Sequence, residues 1–133
     1  MKRLALLLVI AAPMFAQDDP IARYLVPPEM IMAHSQELNL QDKQRAAIKA
    51  EVQKAQSKFI DAQWDMKEES EKMVRLLQQA PADEARILEQ ADKVMALERE
   101  IKKTQLALLI RIKNVLTAEQ LAKLDAIRRV NTR

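Results

Sequence analysis

The chain contains no glycine and no cysteine, few aromatic residues (3%) and a single histidine. Each scarcity narrows the reading. Glycine supplies the positive-φ backbone of many tight turns, so an all-β or doubly wound fold without one would be very unusual. Phosphate-cradling loops and the glycine-framed elbow of serine hydrolases are excluded with it. Without cysteine the protein folds without disulfides. What abounds is alanine, leucine, glutamine, lysine and glutamate, all good helix formers. The 133 residues are 49% hydrophobic and 31% charged, and we expect a single all-α domain.

The first residues do not read as part of that domain. Lys2 and Arg3 precede the apolar run "LALLLVIAA", and "PMFA" leads into the acidic "QDD". This is the order of a secretory signal peptide, residues 1–16, with cleavage expected after Ala16. The run from Leu4 to Ala16 is too short for a membrane anchor, which needs about 20 residues. We therefore expect no transmembrane segment in the mature chain and a periplasmic location. Losing Lys2 and Arg3 lowers the formal charge from +3 to +1. A near-neutral exported chain gives no support for nucleic-acid binding.

Residues 17–27 show no clear period and are expected to be a flexible lead-in to a domain over 28–131. Pro27 and Pro28 suit the start of a short helix running to about Leu38, with Ile31 and Leu38 inward. A long helical pattern follows from Gln41 to about Gln79. Its seam is Ile48, Val52, Ala55, Phe59, Ala62, Met66, Met73 and Leu77, in steps of mostly four and three. "QQAPADEA" breaks the pattern at Pro81. A third helix then runs to about Val115, with a seam of Ile87, Ala91, Val94, Leu97, Ile101, Leu108, Ile112 and Val115. Its apolar face widens at "LALLIRI", so that end must be buried on more than one side or bind something. The expected architecture is a long antiparallel helical hairpin with a short helix at each end.

The sharpest local signal is "NVLTAEQLAKLDAI", residues 114–127. Thr117 can cap a helix through the N–H of Gln120, while Gln120 reaches back to the N–H of Thr117, a capping box. Leu116 and Leu121 can staple the turn. A degenerate copy, "LQDKQRAAI", lies at residues 40–48 and aligns Leu40 with Leu116 and Gln44 with Gln120. Gln41 stands there in place of threonine, which makes a weaker cap.

These twin Leu-Thr-x-x-Gln motifs, at corresponding ends of an exported helical hairpin, resemble the Spy/CpxP family of periplasmic chaperones. Zinc-resistance-associated and heavy-metal-sensor proteins share the same build. The resemblance covers about residues 28–129. It implies a cradle-like antiparallel homodimer that binds unfolded or stressed client proteins without ATP, within the envelope stress response. Physics also favours pairing, because a thin two-helix hairpin has much surface and little interior, and two-fold pairs are the commonest oligomers.

We expect no catalysis. The serines lack a presenting turn, and charge-rich stretches such as "KEESEK" read as solvated helix faces. Face and resemblance together make Ile31, Met32, Phe59, Trp64 and Met66, with Lys58 and Lys67, the candidates for client binding. A second reading is a metal sensor or resistance protein. His34 has Met30 four residues before it and Glu37 three after, a partial helical ligand set for zinc, copper or nickel, to which Asp42 or Glu51 could be recruited. Sensor members of the family use histidines near this first helix. A third reading is purely structural, a helical adaptor that docks on a membrane sensor protein. The chaperone reading requires no cofactor.

Overall fold

A computed structural model describes residues 20–132, so the signal peptide expected over 1–16 lies outside the described residues. A single 3₁₀ turn, Ala22–Tyr24, is followed by α1 (Pro28–Ala33), α2 (Asp42–Leu77), α3 (Glu84–Val115) and α4 (Ala118–Asn131). No strand occurs among the described residues. The 36-residue α2 and 32-residue α3 pack against each other as an antiparallel hairpin. At 1.5 Å per residue, α2 is about 54 Å long.

Helix ends follow local chemistry. Pro28 occupies the first turn of α1, where a missing N–H costs nothing. α1 is shorter than expected and closes at His34, and the chain turns through residue 39. Asn39 takes a left-handed conformation (φ 50°), the place glycine usually fills. The N–H of Leu40 then bonds the Ser35 carbonyl at 3.0 Å and the N–H of Asn39 bonds that of Gln36 at 3.0 Å. Asp83 caps α3 by accepting from the N–H of Arg86 at 3.2 Å.

The core sits at one end. Val26, Ile31, Leu38, Ile48, Ala55, Leu108, Ile112, Leu116 and Leu124 form one buried cluster, with Met30, Leu40, Val52, Phe59, Val115 and Leu121 packed on it. This base is where α1, α4 and residues 25–26 cover the hairpin. The stretch expected to be a flexible lead-in is in part built into the core, since Leu25 and Val26 are buried. Arg128 of α4 holds it down, donating to the carbonyls of Ala22 (3.4 Å), Arg23 (3.0 Å) and Leu25, and through Nε to the Met30 sulfur (3.3 Å). Burial pulls the Arg128 pKa down and Asp125 partly offsets this. One expected seam residue is not covered: Leu77, the last residue of α2, is exposed.

Candidate functional site

The two capping motifs meet. At the second, Gln120 N–H donates to Thr117 Oγ1 (3.2 Å) and Thr117 N–H to Gln120 Oε1 (2.9 Å). At the first, Gln41 N–H donates to Gln44 Oε1 (3.1 Å), while the Gln41 side chain is turned to the Asn39 carbonyl (3.0 Å). Each glutamine then reaches across the base. Gln44 Nε2 donates to Gln120 Oε1 at 2.7 Å, and Gln120 Nε2 returns the bond to Gln44 Oε1 at 3.0 Å. The remaining hydrogens go to the Val115 carbonyl (3.0 Å, from Gln44) and the Leu38 carbonyl (3.2 Å, from Gln120). An amide offers two donor hydrogens and two acceptor lone pairs, so both side chains are fully satisfied. One cyclic amide pair thus ties the turn after α1, the start of α2, the end of α3 and the start of α4 together. Leu116 is buried beneath it and Leu40 half-buried.

The metal candidates do not converge. His34 Nδ1 lies 3.1 Å from Glu37 Oε1. The Met30 sulfur, however, faces the Arg128 guanidinium, a position that repels a second cation. Asp42 pairs with Arg45 (3.5 Å) and Glu51 with Arg111 (3.4 Å), so neither joins His34. No group of three or more His, Asp or Glu side chains suited to a metal occurs among the described residues. An imidazole and one carboxylate fall short of the four ligands a closed zinc site takes.

The client-binding candidates also divide. Ile31 is 1% exposed and belongs to the core, because α1 turns that face onto the base; it offers no binding surface. Phe59 and Met66 are half-buried on the seam. Met32 and Trp64 are exposed, at 73% and 67%, and Lys67 Nζ stands 5.7 Å over the Trp64 ring. Lys58 lines a groove on the hairpin with Glu51, Lys54, Lys103, Thr104 and Arg111. Helical phase puts Ile60, Trp64, Lys67 and Val74 of α2 on the side away from that groove, and Leu88 and Met95 of α3 on the same side. Ile60, Val74, Leu88 and Met95 are all exposed, and none of them falls on the seams read from the sequence. The four-residue step from Ile60 to Trp64 was the available signal. The widened "LALLIRI" face is not fully covered either: Ile110 is 43% exposed.

Further toward the tip, the interior turns polar. Gln90 is buried between the helices, donating to the Glu69 carbonyl (2.8 Å) and to Glu69 Oε2 (2.6 Å). Glu69 Oε1 accepts from Lys72 at 2.9 Å. These bonds, to Lys72 first and then Gln90, hold the Glu69 carboxyl below its ordinary pKa; the same pairing raises that of Lys72.

A two-helix hairpin closed at its base by matched, mutually bonded capping motifs defines a class of small all-helical protein with a long, thinly covered body. The chain belongs to the heavy-metal resistance family, whose model matches residues 3–123, the Leu-Thr-x-x-Gln helical group that includes Spy and CpxP. No curated protein and no solved structure matches it. Proteins of this family are generally periplasmic. Among the described residues, no helix is long and apolar enough to cross a membrane.

Proposed function

We propose that the protein is an ATP-independent periplasmic chaperone, a binding protein and not an enzyme, that acts as a homodimer in the envelope stress response. It holds unfolded or stressed proteins on the apolar side of the hairpin. One observation carries this reading: Ile60, Trp64, Val74, Leu88 and Met95 lie exposed on one side, interspersed with Lys67 and Glu71. Scattered apolar anchors among charges give weak, many-sided contacts, and a binder of unfolded chains shifts their equilibrium without nucleotide. Met95 adds an adaptable thioether suited to varied partners.

The test is aggregation of an unfolded model client with increasing protein and no ATP. Suppression that falls in Ile60→Ser/Trp64→Ser, with helicity retained, is the expected result. Undiminished suppression in that variant would place the client surface elsewhere.

A metal-responsive role is the second reading, favoured by the family and by the His34–Glu37 pair. The same assay with zinc, copper or nickel, beside His34→Ala, separates the two. Protection that appears only with metal and is lost in His34→Ala would replace the chaperone reading.

A further inference from the structure

The side of the hairpin opposite the apolar stripe carries a groove of about 190 Å³. In the antiparallel register, Ala55 stands opposite Ala107, and these small side chains open the concavity above Leu108. At the base end Arg111 pairs with Glu51 at 3.4 Å. Toward the tip, Lys58 and Lys103 stand on opposite walls, with Lys54 between the two ends and the Thr104 hydroxyl beside Lys103. Among the described residues, Lys54, Lys58 and Lys103 have no ion-pair partner. Four cations against one carboxylate are thus gathered in one groove of a chain whose formal net charge is only +3. Asp61 and Glu100, a turn further toward the tip on each helix, bound this basic zone.

We propose that the groove binds a short row of phosphoryl groups, two or three in line, as in an oligophosphate or a multiply phosphorylated headgroup. Length and donor chemistry select this class. The walls run from Glu51 to Lys58 and from Lys103 to Arg111, about 10–12 Å at the helical rise. A single orthophosphate would engage one end only. Arg111 presents a planar fork suited to phosphate oxygens, the lysines add point charges, and Thr104 adds a neutral donor. None of the large exposed apolar residues lines this groove, so it is a separate surface from the one proposed for clients.

The experiment is calorimetric titration of the purified protein with tripolyphosphate, orthophosphate and tetraglutamate, and flotation with phosphatidylcholine vesicles with and without phosphatidylinositol bisphosphate. Tripolyphosphate is expected to bind, with orthophosphate and tetraglutamate weaker by about tenfold or more. The double substitution Lys58→Gln/Lys103→Gln should weaken binding about tenfold at unchanged helicity, and Trp64→Ser should leave it unchanged. Binding confined to the doped vesicles and lost in the double variant supports the same chemistry with a lipid source. The proposal is overturned by binding in neither arm, by binding that survives the double substitution, or by tetraglutamate binding as tightly, which would mark an acidic protein segment instead. Failure of the aggregation assay would leave these outcomes untouched.

Discussion

The base and the tip of the hairpin are built from the same two helices and the same seam spacing, yet their interiors differ. At the base, α1, α4 and residues 25–26 add cover, and the seam positions Ile48, Ala55, Leu108 and Ile112 are buried. Toward the tip nothing in the described chain covers the pair. There Ala62, Met66, Val94 and Leu97 are only half-buried, and the one buried residue is Gln90. A seam of given apolar spacing is sealed only where a third element lies over it. The base is therefore the cooperative unit, and the tip should open at lower free energy.

The largest expected effect is in the base core. Ile112, at 0% exposure, should cost about 2–5 kcal/mol as Ile112→Ala in urea denaturation. Val94→Ala in the tip should cost well under half of that, and equal costs would break the comparison. Next comes the amide pair. Gln120→Ala strands the Leu38 carbonyl, the Thr117 N–H and half of Gln44, for about 1–3 kcal/mol. Adding Gln44→Ala should cost much less than it does alone, and strict additivity would show that the two motifs act independently.

Caps give smaller changes. Thr117→Ala should lose about 1 kcal/mol, whereas Gln41→Thr, which gives the first motif the hydroxyl cap of the second, should raise the denaturation midpoint. The smallest effect is a pH dependence confined to the tip. Because the Glu69 pKa is lowered on folding, its contribution is present above the unfolded value and is lost as pH falls through the folded one. The Lys72 pKa is raised, so its share is lost only in strong alkali. Hydrogen exchange at pH 3 against pH 7 should show the amides near Glu69 and Gln90 losing protection first. Earlier loss at Gln44 and Gln120 would reverse the assignment, since no carboxylate bonds that pair.

Much of this was legible in residue order, because it depends on neighbours within one helical turn. The absence of glycine, the seam steps, Pro81 and the Thr117–Gln120 box specify four helices and place their ends within a few residues. Ile31 and Leu38 read as inward and are. The same reading also offered Ile31 for binding, which burial under the base excludes, and it set His34, Met30 and Glu37 together as ligands. Spacing along a helix cannot reveal that Arg128, 98 positions later, takes the Met30 sulfur. Nor does it show that Gln44 and Gln120, each sufficient as a local cap, bond each other across 76 positions. Local hydrogen bonding and helical period thus settled the elements from sequence alone. Which side of each element met a partner, and which was left to water, was decided only when the base closed, because burial depends on what packs on top.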